Sequence, residues 1–244
     1  MSNYPFIFGA RGGGGGTPSI PLSINGTEAE TLTEAFNLVA TLDGVPGGSY
    51  NAATDTLSFT SNGGWARPSF WPTLPTISAA TEGGNILLQV YENRLNRFTV
   101  QINNVIITWG DGTTTTTVGT PVTTKTYTYG TLAGTVYVDA LTGENYKFVI
   151  INIARNAGNI TWVDFSVSAA TSPLNAPSYA VEYDLSFPNC STQFYLSSVS
   201  RDQVYAKQVK IWSLGNATYR LGRMHNLESL QLPAARLGNW QGAI

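Results

Sequence analysis

Cysteine and histidine are almost missing from this sequence, which holds one of each, Cys190 and His225. One cysteine excludes an intrachain disulfide framework and any multi-cysteine zinc site, and Cys190 reads as a small buried apolar residue. One histidine excludes a metal centre shared by two histidines of the same chain, and a Ser-His-Asp arrangement would have to use His225 alone. Charge is scarce as well. Charged side chains make up 11% of the 244 residues and the formal net charge is -2, where an average domain has about 25% charged residues. So weak a field does not hold phosphate backbones, and nucleic acid is not an expected partner. No apolar run is long enough to cross a bilayer, so no membrane span is expected. The glycine run Gly12 to Gly16 is not followed by the Lys-Ser/Thr of a phosphate loop, and no Gly-x-Gly-x-x-Gly sits in a βαβ pattern. No cofactor is expected.

What the chain has is apolar and hydroxyl-rich. Hydrophobic residues are 42% and aromatics 11%, enough to build a core without metals or disulfides in a chain of this length. Solvation falls to Thr, Ser, Asn and Gly. Residues 1–21 read as an N-terminal arm: Tyr4, Phe6, Ile7 and Phe8 form an aromatic plug on a glycine tether, suited to docking in a neighbouring subunit's groove or folding back on its own domain. Residues 22–80 read as a small helix-plus-hairpin region. Thr27 with Glu30, and Thr31 with Glu34, match the capping box, and Leu32, Ala35, Phe36 and Val39 recur at helical spacing, which predicts one short helix near 28–42. Alternation on either side of Ala53 to Asp55 predicts a hairpin over 47–60. Trp65, Phe70 and Trp71 fall among Pro68, Pro72 and Pro75, where a central strand is excluded because proline lacks the ladder donor. These three aromatics and Trp240 are candidate surface-contact residues, for sugar stacking or for packing on a neighbour; a loop closed over its own core is the other reading.

From 81 to 170, short β-branched and aromatic segments alternate with Gly, Asn and Asp turns, the pattern of a β-sandwich. From 171 to 244, the segments Val181 to Leu185, Val209 to Leu214 and Leu230 to Leu232 are each followed by an asparagine, at Asn189, Asn216 and Asn239. That strand-then-Asn order resembles leucine-rich repeats and predicts a solenoid-like C-terminal segment. The most specific string is Ile106 to Thr113, containing Trp109-Gly110-Asp111-Gly112, followed by Tyr127, Tyr129 and the Thr135 to Val138 segment. It resembles the PKD-like immunoglobulin-type β-sandwich, whose signature is an aromatic, Gly-Asp-Gly, a Thr-Tyr pair and a strand. The fold expected is therefore mainly β: an immunoglobulin-like sandwich with a flexible Gly-rich arm in front and repeat-like coils behind. The combination looks like modular surface proteins of Bacteroidetes bacteria and of phages that infect them, which implies protein or glycan contact and transfers no catalytic residue.

Catalysis would need converging titratable groups. Glu28, Glu30 and Glu34 belong to the N-terminal end of the expected helix, where carboxylates favour the dipole. Asp111 in its glycine turn reads as structural rather than as a calcium ligand. Glu182 and Asp184 share one strand face about 6.6 Å apart, a spacing a glycosidase pair can have. Residues 1–11 show no basic n-region and no signal-length apolar run. The expectation is thus a non-enzymatic structural component of a bacteriophage virion, made in the host cytoplasm and exposed at the particle surface as a spike, fibre or vertex protein. Its expected partners are itself, as a trimer or pentamer, other virion proteins, and a host glycan or protein. A bacterial cell-surface adhesin or glycan-binding module is the alternative, and a polysaccharide-degrading enzyme the third.

Overall fold

The computed structural model describes residues 65–167, 179–196, 205–220, 224 and 226–233, with strand segments 22–24, 27–29, 47–51 and 56–60. Tyr4, Phe6, Ile7, Phe8, the glycine run and Trp240 lie outside the described residues. β1 (Leu22–Ile24) and β2 (Thr27–Ala29) pair antiparallel, as do β3 (Gly47–Asn51) and β4 (Thr56–Thr60). Then come β5 (Gly83–Tyr91), β6 (Asn96–Ile102), β7 (Val105–Thr108), β8 (Thr114–Thr116), β9 (Val122–Tyr127), β10 (Tyr137–Val138), β11 (Asn145–Arg155) and β12 (Trp162–Asp164). The rest are β13 (Ala180–Phe187), β14 (Gln193–Tyr195), β15 (Gln208–Leu214), β16 (Thr218–Arg220) and β17 (Ser229–Pro233).

The protein is mainly β, and two mixed sheets face each other as a sandwich. The main sheet runs β3-β4-β17-β15-β13-β5-β11-β7-β8, with β10 added on β11; the second runs β16-β14-β12-β6-β9. On the β7 to β11 side all pairings are antiparallel, whereas β13, β15 and β17 pair parallel in one sheet and β12, β14 and β16 pair parallel in the other. The main sheet therefore takes strands from all three segments that the sequence sets apart at 22–80, 81–170 and 171–244. β5 is the seam, antiparallel to β11 on one side and to β13 on the other.

Alternation decides what each strand buries. In β7, Val105 and Ile107 are buried while Ile106 and Thr108 face out, the period of two expected of a strand with one wet face. β5 is buried on both faces, which is why Ile86, Leu87 and Leu88 follow one another without a polar break. Aromatic rings bridge the sheets: Phe187 of β13 lies 5.9 Å from Phe194 of β14, and Tyr183 lies 5.8 Å from Phe165. Burying each such ring contributes about 1.5–3 kcal/mol.

Of the two capping boxes offered for the helix expected near 28–42, the first, at Thr27, does not start a helix, and the second, at Thr31, lies outside the described residues. Thr27–Ala29 is strand, with Ile24 opposite Thr27, and residues 30–42 lie outside the described residues. Asn25-Gly26 stands between the paired segments, and that dipeptide is the strongest short hairpin signal known, strong enough to override a single capping-box match. Among the described residues the only helix is one 3-10 turn, Tyr129–Thr131, which starts just after β9 ends at Tyr127.

Candidate contact surface

The string Trp109 to Thr113 forms a closed structural turn. Gly110 and Gly112 have positive φ of 77° and 85°, a region that side chains with a Cβ disfavour. A Cβ on Gly110 would also stand 2.5 Å from the Ile150 carbonyl oxygen. Asp111 Oδ1 accepts from the Thr113 amide at 3.1 Å and from its hydroxyl at 2.6 Å, while Oδ2 meets Lys125 Nζ at 2.5 Å. Burial alone would raise the Asp111 carboxyl; the Lys125 ammonium and the Thr113 donors outweigh it and hold the group below the usual carboxylate range. Trp109 is buried, donates its indole N–H to Thr115 Oγ1 at 2.9 Å, and accepts the Tyr127 hydroxyl on its carbonyl at 2.9 Å.

The proline-rich segment is a strap across the outer face of the main sheet. Arg67 clamps it. Its Nε lies 3.1 and 2.9 Å from the two Glu182 oxygens, its Nη2 2.8 Å from Oε2, and it also donates to the carbonyls of Trp71 at 3.2 Å and Pro72 at 2.5 Å. Farther along, Asn85 donates to the Pro75 carbonyl and Ser186 to that of Ala79. The strap carbonyls thus find donors outside any ladder, those of Trp71 and Pro72 in the strap's own Arg67 and those of Pro75 and Ala79 in the sheet side chains Asn85 and Ser186.

Of the candidate aromatics, Trp71 is only 7% exposed, packed with Leu87 and Val181, its ring 6.2 Å from Phe148. Trp65 is half-buried and edge-on to Trp71 at 6.2 Å. Phe70 alone faces out, 52% exposed, with its ring 5.5 Å from Tyr137. Glu182 and Asp184 do share the outer face, but each carboxylate has a fixed partner. Glu182 is bound by Arg67, and Asp184 Oδ1 accepts the Trp212 indole N–H at 2.6 Å. Burial raises the Asp184 carboxyl, with the Trp212 bond and the Lys210 charge opposing.

An aromatic band continues from Phe70 through Tyr137, Tyr146, Tyr91 and Tyr179 to Tyr205, with successive ring centroids 4.8–5.6 Å apart. Arg94 caps it, with Cζ 4.2 Å from the Tyr91 ring, Nε bonded to Glu144 Oε2 at 2.5 Å and Nη1 to the Tyr205 hydroxyl at 3.1 Å. Burial, and then the bond from its hydroxyl to Asp139, push the Tyr91 phenol far above its ordinary value, so it stays a neutral donor. The band's middle is buried. Its outer end meets solvent through Phe70, and Val136 and Val138, which flank Tyr137, are 50% and 62% exposed. Sequence reasoning found Phe70 but missed the tyrosines and Arg94, which come from strands and turns far apart in the chain. This corner offers stacking and apolar contact rather than proton transfer. Among the described residues no three His, Cys, Asp or Glu side chains group to hold a metal, and no helix is long and apolar enough to cross a membrane. Comparison with models of protein families, with curated proteins and with solved structures yields no match for this chain.

Proposed function

We propose that the chain is a non-catalytic structural component of a bacteriophage particle, exposed at its surface and contributing to host attachment. The observation that carries this reading is the allocation of side chains: the carboxylates nearest to a catalytic pair are locked to Arg67 and Trp212, while exposed apolar groups collect around Phe70 and β10. A corner of that kind favours docking against another protein surface. In finer detail, the antiparallel half is a PKD-like sandwich, and the two parallel ladders are coils of a solenoid in which Tyr183, Val209 and Leu230 take equivalent places. Homo-oligomeric assembly through the arm at Tyr4, Phe6, Ile7 and Phe8 belongs to the same reading.

A bacterial surface adhesin or glycan-binding module is the second reading, favoured by the tyrosine-rich band. Immunogold labelling of particles and cells from a culture producing the chain separates the two. Gold on the exterior of released particles is the expected result; gold confined to the cell envelope supports the adhesin, and gold confined to the cytosol contradicts both.

A further inference from the structure

Beyond the strap, the outer face of the main sheet carries a polar row. Strand register sets Asp184 of β13 beside Lys210 of β15, Lys210 beside Gln231 of β17, and Gln231 beside Ser58 of β4. Leu185, Ile211, Leu230 and Leu232, their neighbours along these strands, point into the core, while the four polar residues are half-buried. At about 4.8 Å per strand the row is about 14 Å long. The strap's bonds to the sheet go to Glu182, Asn85 and Ser186, on β13 and β5, and among the described residues none goes to β15, β17 or β4.

Trp212 stands on this face two residues along β15 from Lys210, and at 39% it is the one exposed tryptophan among the described residues. A bulge puts it there. Leu185 pairs with Ile211 and Ser186 with Ser213, so Trp212 is the extra residue of β15. β15 is an inner strand of its sheet, and a bulge there gives up ladder pairing to re-aim a side chain. The indole is also held in orientation, since Nε1 donates to Asp184 Oδ1 at 2.6 Å. Trp65 and Trp71 pack on each other and Arg67 lies over Trp71, whereas Trp212 has no ring or cation partner among the described residues. The Asp184 and Lys210 charges act on each other and offset. The strip therefore offers a fixed indole face, an amide, a hydroxyl and two balanced charges. The C–H groups on one face of a pyranose ring are attracted to the electron-rich face of an indole, and its hydroxyls need donors and acceptors beside it.

We propose that this strip binds an uncharged, pyranose-based glycan, with Trp212 stacking on one sugar ring and Lys210, Gln231 and Ser58 meeting hydroxyls along the row. Charge complementarity selects the occupant: an anionic polymer gains little where Asp184 already offsets Lys210, and a neutral hydroxyl-rich chain matches a strip of no net charge. A peptide strand would add to a sheet edge, where backbone groups are free, and the centre of a protein interface is depleted of lysine and aspartate. The inference rests on the host-attachment part of the reading above and names its ligand class; its failure would leave particle labelling, and with it the structural role, untouched.

Affinity electrophoresis of the full chain in native gels containing galactomannan, dextran or hydroxyethylcellulose tests it, with polygalacturonate as the charged counterpart. Retardation by at least one neutral polymer is expected, indifferent to added salt because no net charge is involved, and Trp212→Ala is expected to weaken it about tenfold. Gln231→Ala, which removes an amide on the neighbouring strand and leaves the indole in place, also weakens it and keeps the test decisive if Trp212→Ala misfolds. Val118→Ala, which trims a side chain 78% exposed between β8 and β9, leaves retention as it was. No retardation by any of the three neutral polymers, stronger retardation by polygalacturonate, or retention unchanged in folded Trp212→Ala and in Gln231→Ala would each overturn the proposal.

Discussion

Single residues in this protein are constrained mainly by backbone approach and by burial. Gly110 shows the first: its φ of 77° and the nearby Ile150 carbonyl leave no room for a side chain. Gly110→Ala should cost about 2 kcal/mol or more, read as a lower denaturant midpoint at unchanged slope; an unchanged midpoint would refute the strain. Cys190 shows the second. It is fully buried, its Sγ lies 3.1 Å from the Gln193 carbonyl, and burial pushes the thiol up to about 12. A thiol reagent at neutral pH should leave the native chain unmodified and label it only on unfolding, since the thiolate is the reactive form; prompt labelling of native protein would contradict that burial. Arg67 and Glu182 combine both constraints. Arg67→Ala leaves a carboxylate that is 3% exposed without its counter-ion, a loss of about 3 kcal/mol that should also expose the strap to proteolysis. Replacing both residues, as Arg67→Met with Glu182→Leu, should recover most of the stability; no recovery would mean that the clamp acts through some other contact.

At the scale of elements, edges and turns explain why the sheets stop where they do. β9 closes one edge of the second sheet, and its Lys125 sits opposite the inward Phe98 and pairs with Asp111. A charge pointing inward from an edge strand discourages pairing with another chain. Lys125→Val should therefore promote concentration-dependent aggregation, followed by light scattering, while solubility equal to that of the parent would remove this role. The same pair sets a pH response. Because the Asp111 carboxyl is held below its ordinary value when folded, its contribution is fully present above the ordinary carboxylate pKa and is lost as pH falls through the lower folded value. Asp111→Asn should be less stable by about 1 kcal/mol at neutral pH and should converge with the parent in strong acid. A gap that persists there would show that the turn depends on something other than the charge.

Elements were legible in the sequence where the signal is local. Alternation in Val105 to Thr108 and the apolar run at Ile86 to Leu88 mark strands correctly, and the glycines around Asp111 mark their turn. The expected helix start at Thr27 failed because two local signals compete at that point and hairpin chemistry prevails. Pairing partners were not legible, since β5 meets β13 and Arg67 meets Glu182 across 115 residues, and no periodicity encodes such a separation. For the same reason Trp71 read as a surface candidate, although the strap presses it onto Leu87.

On the scale of the whole molecule, the main sheet joins the antiparallel and parallel halves through β5, so neither half keeps a closed hydrogen-bond ladder alone. A chain ended at residue 170 loses β13 from β5 and β14 from β12, and it should aggregate instead of unfolding as a cooperative unit. Reversible two-state unfolding of that fragment would show that the sandwich half stands by itself. In the proposed function this continuous body presents the apolar corner around Phe70 and β10 to other chains of an assembly. The most direct test is the solution mass of the purified chain by multi-angle light scattering, with and without residues 1–16: a stable trimer or pentamer that falls to monomer on truncation is the predicted result, and a monomer indifferent to truncation would contradict it.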